Sequence, residues 1–440
     1  MTTNFAIRSL IAASLSLSGA LAIPGCASEP SKTKSAPTAP AGQYVFWPTA
    51  PNEPRIQFLV GLNSSDDISP AKSSGLEKIV FGEDAVRAAY VNKPYGVAVR
   101  DGRIYVADLR AKAVVVMDLA QKQTRLVGVS GSNRLERPVA VAVADDGMLY
   151  VADLVLGSIL VYDKGERFAA SFAFPKMKPA ALAIYGERLY VADMTRQQVI
   201  MIDRRTGKEL GAIGAVGDEP GQFRLPVGVT VDKSGNLYVV DTMRCNVQKF
   251  TADGAFVGAF GQAGDHAGAF ARPKQIAVDN EGILYIVDAA FQNVQMFNDK
   301  FQILMHFGSA GEFPGAMDLP IGVAVTDSGL EYFKDKFHPG FAPKRLVVVA
   351  NQFGNSKISV YALGDRRPDY KLADLHGTST LIDTGVAKPD AEQLKFQNIG
   401  GIEPGADGLS GAPADDSPPP AGAKPAEKPA EQPAPASPKQ

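Results

Sequence analysis

An all-β fold, a six-bladed β-propeller with four-stranded blades, is predicted by three observations in this 440-residue sequence. First, one pattern recurs between Pro94 and Leu363: a proline, a short apolar run, a turn with Gly or Asp, a second apolar run ending in Asp, then a third run. Its prolines Pro94, Pro138, Pro179, Pro226, Pro273 and Pro320 stand 44, 41, 47, 47 and 47 residues apart, a period that fits a four-stranded blade. Second, runs such as Gly96-Val97-Ala98-Val99 and Leu284-Tyr285-Ile286-Val287 are apolar at successive positions, so both sheet faces must be covered, as when blades stack face to face. Third, 43 Gly and 31 Pro suit a chain full of turns and argue against a helical bundle.

The elements follow in order. Residues 1–25 read as a signal peptide, with Arg8 ahead of an apolar stretch from Leu10 to Ile23 that is too short to span a membrane as a mature helix. The sequence Ile23-Pro24-Gly25-Cys26 resembles a bacterial lipoprotein processing site. That resemblance implies lipidation at Cys26, a membrane anchor, and, with Ala27 after the cysteine, sorting to the outer membrane. The alternative is ordinary cleavage nearby, with Cys26 free or removed. Residues 26–44 are rich in Pro, Ser, Thr and Ala without apolar periodicity, which predicts a flexible tether.

The propeller is expected over 45–376. Its first five copies are PYGVAVRDGRIYVAD, PVAVAVADDGMLYVAD, PAALAIYGERLYVAD, PVGVTVDKSGNLYVVD and PKQIAVDNEGILYIVD. Turns such as Ala144-Asp145-Asp146-Gly147 supply what a tight hairpin needs. The sixth copy opens at Pro320 and resumes at Arg345 after an insertion, 330–343, whose four aromatics predict that it folds onto the body. After Lys357–Tyr361 no fourth strand follows, and Arg55–Gly61 is expected to supply it and close the ring, which removes exposed edges. Residues 377–440 form a low-complexity tail rich in Pro and Ala.

With these repeats in view, the sequence resembles the NHL-repeat family of six-bladed β-propellers. The connectors Gly214-Ala215-Val216-Gly217…Gly221–Pro226, Gly261…Phe270–Pro273 and Gly308…Pro320 look like that family's glycine-rich link from outer to inner strand. The chain departs from the family where Asn and Arg usually follow the second-strand Asp: Leu156 and Ser158 follow Asp153, and Phe291 and Asn293 follow Asp288. The insertion, with Phe46-Trp47-Pro48 and Asn351–Asn355, resembles a subgroup of bacterial lipoproteins found alongside extracellular multihaem cytochromes. This chain has no Cys-x-x-Cys-His and is expected to bind no c-type haem itself.

Composition narrows the functions. Lys+Arg 45 against Asp+Glu 47 leaves a formal charge of −2, which disfavours nucleic acid as a partner. Cys26 and Cys245 cannot make a disulfide framework, and four scattered histidines give no metal-ligand spacing. The second-strand acids Asp108, Asp153, Asp193, Asp241 and Asp288, with Asn351 in the sixth copy, are expected to bond to backbone amides rather than to work as a catalytic ring. The family resemblance places chemistry at the axis, beside Tyr95, Val139, Ala180, Val227, Lys274 and Ile321, where no carboxylate or histidine stands.

Loops after the aspartates should share that face, and they carry Leu154, Val155, Leu156, Met194, Met243, Phe291 and Phe353, interspersed with Arg110, Arg196, Arg244 and Lys274. Exposed apolar groups with arginine are what protein interfaces use, whereas packing into the inter-blade core is the competing role. The expectation is therefore a non-enzymatic, cofactor-free, monomeric scaffold on the outer membrane, facing the periplasm or the cell surface. It would hold an envelope or extracellular protein through Tyr95, Leu154, Met194, Arg196, Met243, Arg244, Lys274, Phe291 and Phe353. Competing readings are a propeller enzyme, lyase or lactonase, with a central metal, and a binder of envelope polysaccharide.

Overall fold

The structure, a computed structural model, describes residues 43–68 and 90–376. The signal peptide, Cys26, nearly all of the tether and the 377–440 tail lie outside the described residues.

Six antiparallel blades follow the six repeats. Blade 1 runs Pro94–Arg100, Arg103–Asp108, Ala113–Asp118 and Gln123–Val127, and blades 2 to 5 repeat this order. Each blade begins as a hairpin whose inner strand starts at the repeat proline and whose second strand ends at the repeat acid, Pro138 lying opposite Asp153 and Pro226 opposite Asp241. The two central strands of a blade are buried along their length, as in Leu149–Asp153 and Ser158–Tyr162, whereas outer strands such as Phe168–Ala173 are largely exposed. The successive apolar positions in the sequence thus reflect stacking of each blade between two neighbours.

Inner strands adjoin one another around the ring, including the last against the first. Close approach there depends on small residues. A Cβ on Gly228 would lie 2.4 Å from the Lys274 carbonyl oxygen of blade 5, and one on Gly322 would lie 2.4 Å from that of Tyr95 in blade 1. Polar latches tie the blades at the hairpin-turn side. Arg345 of blade 6 is buried between Asp279, with which it pairs, and Glu281 of blade 5 (2.8 Å), while Arg204 of blade 3 reaches Asp146 of blade 2 at 2.7 Å.

Blade 6 is composite. Pro320–Thr326, Phe341–Asn351 and Ile358–Arg366 come from the last repeat, and Ile56–Leu62 pairs antiparallel with Ile358–Arg366 as its fourth strand. Val45–Trp47 adds a fifth strand, which the sequence did not announce. Successive residues of this short strand face opposite sides: Phe46 packs with blade 1, and Val45 and Trp47 pack with blade 5. The insertion forms a 3-10 helix, Leu330–Lys336, folded onto the body with Phe333 and Phe341 buried. No helix among the described residues is long and apolar enough to cross a membrane.

Candidate functional site

The repeat aspartates build the upper face, where inner strands begin and second strands end. Asp108 accepts N–H bonds from Asn92 (2.6 Å) and Lys93 (3.0 Å) ahead of its inner strand, and from Arg110 (2.9 Å) and Ala111 (2.8 Å) in the following loop. Asp153, Asp241 and Asp288 repeat this fourfold grip. Burial pushes the Asp108 and Asp288 carboxyls up, and the backbone N–H groups pull them back. These acids are consumed in bonds to backbone amides, as the sequence led one to expect, and each holds two loops together. Asn351 donates instead, to the Ser356 carbonyl (2.9 Å) and the Ser359 hydroxyl (3.0 Å), because its loop has a different course.

The candidate partner-binding residues divide by environment. Met243 is 65% exposed, Val155 63%, Phe353 45% and Leu156 43%. Leu154, Met194 and Phe291 are half-buried, and Met194 packs against the core between blades 3, 4 and 5. Ala289 and Ala290 are buried. Arg196 pairs with Glu209 at 2.8 Å, and Arg244 donates to the carbonyls of Asp218 (2.7 Å), Gln222 (2.7 Å) and Glu219 (3.1 Å), fixing the connector into blade 4. Phe353 lies under two ammonium groups, Lys93 at 5.7 Å and Lys357 at 5.9 Å. Cys245 is half-buried, its thiol directed at the Thr242 carbonyl (3.5 Å).

At the axis, Tyr95 is buried with Val139, Ala180, Val227 and Ile321, and Lys274 is half-buried. Burial pushes the Tyr95 phenol up to about 12, against the opposing pull of Arg272 and Arg137. Burial, then the charge of Arg272, brings Lys274 down to about 8. Below them Gln275 reaches across to the carbonyls of Val227 (3.2 Å) and Ala180 (3.4 Å). Beneath Gln275 a cavity of about 390 Å³ runs along the axis, lined by inner-strand residues such as Val97, Val141 and Val229. Sequence reasoning missed Gln275, although its bulk where other repeats have Gly96, Ala140, Ala181, Gly228 and Gly322 was a usable signal.

Among the described residues no group of three His, Cys, Asp or Glu is arranged to hold a metal ion. His306 lies in the outer strand of blade 5, and His338 is buried in the insertion.

These features define a β-propeller with six blades around an axial cavity. Residues 223–250, which span the first three strands of blade 4, match the NHL repeat family model. Similar solved structures include a streptogramin B lyase (14% identity, 62% of this chain and 94% of that one, TM-score 0.43). Others are a Bacteroides thetaiotaomicron protein of unknown function (17%, 63% and 71%, TM-score 0.47) and virginiamycin B lyase from Staphylococcus aureus (12%, 62% and 95%, TM-score 0.43). The chain is a six-bladed β-propeller.

Proposed function

We propose that this propeller is a lipid-anchored envelope scaffold that holds a partner protein on its upper face. The observation that carries the reading is the set of solvent-exposed apolar side chains, Val155, Leu156, Met243 and Phe353, on loops with pinned backbones: Asp153 and Asp241 hold the first three, and the Phe353 N–H is bound to the Asp318 carbonyl (3.2 Å). A loop with a fixed backbone can present apolar groups without the ordering cost a mobile loop incurs on binding. Lysines over Phe353 and the half-buried Leu154, Met194 and Phe291 extend the same face. Tyr95 and Lys274 lie at its centre. The tether and Cys26 supply the anchoring half of the proposal, and the sequence resemblance makes a multihaem cytochrome the first partner to test.

The test compares melting and pull-down from envelope extract for Met243→Ala and Phe353→Ala. Both should leave stability within about 0.5 kcal/mol and weaken capture by about 1 kcal/mol or more. A drop in melting temperature with capture retained by the folded fraction would return these side chains to a packing role. In the same extracts Cys26→Ala should abolish fatty-acid labelling and release the protein from membranes; unchanged labelling and retention would refute the anchor.

A further inference from the structure

Each inner strand pairs on one side only. It stands at the end of its sheet in every blade, and its other edge has no β partner among the described residues. That edge is turned to the axis, because consecutive residues line the cavity of about 390 Å³ there: Gly96–Arg100 of blade 1, Ala140–Val143 of blade 2 and Gln275–Val278 of blade 5, with shorter runs from the other three blades. A strand that faced the cavity with its pleated surface would contribute alternate residues only. What a molecule on the axis meets is therefore the row of N–H and C=O groups on six strand edges, flanked by aliphatic side chains.

Gln275 already uses these edges. Its carboxamide donates to the Val227 carbonyl of blade 4 (3.2 Å) and the Ala180 carbonyl of blade 3 (3.4 Å), and it stoppers the upper end of the cavity where the other five strands carry Gly or Ala. The lower end differs. On every inner strand the residues nearest the hairpin turn are half-buried, as Val99, Val143 and Val231 are, whereas those above them, such as Val97, Val141 and Val229, are buried. Solvent reaches the cavity from the hairpin-turn side. Charge is scarce along its wall: among the described residues lining it Arg100 alone is charged, and its guanidinium is paired with Asp145 at 2.7 Å. A charged ligand would be desolvated there without a counter-ion, and a purely apolar one would leave the strand edges unbonded. A hydroxyl group both donates and accepts, which matches an edge that offers N–H and C=O groups in turn.

We propose that the axial cavity is a binding site for a small neutral polyhydroxylated molecule, a monosaccharide or cyclic polyol, admitted from the hairpin-turn side and halted beneath Gln275. Hydroxyl groups would bond the strand edges, and the C–H faces of the ring would lie against the aliphatic side chains that flank them. The cavity volume falls within the range of about 300–1,000 Å³ usual for small-molecule sites. The site opens opposite the upper face and stands whether or not that face holds a protein.

Saturation-transfer NMR on the purified full chain tests it, with glucose, N-acetylglucosamine and myo-inositol as neutral probes and with glucuronate and glucosamine, both charged at mildly acidic pH, as their counterparts. Saturable transfer to at least one neutral probe is expected, and none to the charged pair. Thr230→Phe and Ala142→Phe add bulk at half-buried lining positions of blades 4 and 2. Each should weaken binding at least about tenfold in protein that still melts cooperatively, while Arg167→Gln, on an exposed pair with Asp163, should leave it unchanged. Amide resonances provide a readout that needs no variant: those of Val99, Val143 and Val231 should shift on saturation, and those of Val155 and Met243 on the upper face should not. Absence of saturable transfer to any neutral probe, equal transfer to the charged pair, undiminished binding in the folded Phe variants, or amide shifts confined to the upper face would each overturn the proposal. No partner protein enters these measurements, so failure of the scaffold reading and failure of the axial site are read separately.

Discussion

Asp241 takes four backbone N–H groups from two loops, so its loss unties both the connector into blade 4 and the loop bearing Met243. Replacing it with alanine strands those donors in a buried setting, and Asp241→Ala should cost about 3–5 kcal/mol of stability, read by chemical denaturation. A loss below about 1 kcal/mol would show that water satisfies the donors. His338 provides a pH-dependent counterpart. Its ring stands edge-on to Tyr44 (4.8 Å) and Phe46 (5.9 Å), and its Nδ1 accepts the Gly340 N–H (2.9 Å). Burial holds its pKa below the ordinary histidine value, with the Asp374 charge acting against that shift. The unfolded chain therefore binds the proton more readily, so this contribution is complete above about pH 6.5 and is lost as pH falls through the lower folded value. The melting temperature should decline across that acidic window, and His338→Leu should flatten the decline; an equal slope in the variant would place the titration elsewhere. At this scale the repeat acids were legible, since recurrence in five of the six blades marks a folding role. The reach of Gln275 to the Val227 and Ala180 carbonyls was not, because only the ring brings blades 3, 4 and 5 together at the axis.

The elements were legible where the chain repeats itself. Each inner hairpin announced itself by proline, turn and aspartate, and the aromatic content of 330–343 foretold burial of Phe333 and Phe341. Val45–Trp47 escaped notice because three residues offer no periodicity, and it reaches its partner strand through the proline-rich segment 48–54. Its contribution should nevertheless be large, since Phe46 and Trp47 are buried on opposite faces of the blade. Trimming a buried aromatic costs about 3–5 kcal/mol. A chain beginning at residue 49 should melt well below one beginning at residue 27 while still unfolding cooperatively. A chain beginning at residue 63, which also lacks Ile56–Leu62, should lose cooperative melting. Identical melting of the first two would show that the fifth strand is decoration.

For the whole molecule, the six-bladed ring was readable from the spacing of its prolines, whereas the identity of whatever it binds was not, since a binding face is made of loops whose sequences do not repeat. The composite sixth blade has one further consequence, in time rather than in space. Five blades consist of neighbours in sequence and can form as soon as their own hairpins meet. The pairing of Ile56–Leu62 with Ile358–Arg366 spans roughly 300 residues, which raises the loop-closure cost by about 3–4 kcal/mol over that of a short turn. Such a high-order contact forms late. Until it does, the strand destined to complete the ring, with Phe58, Leu59 and Val60, has no sheet to join. The slow event in maturation is thus the meeting of the two arms of one blade, and an intermediate halted before it would be an open crescent with two unpaired edges, ready to join another copy of itself.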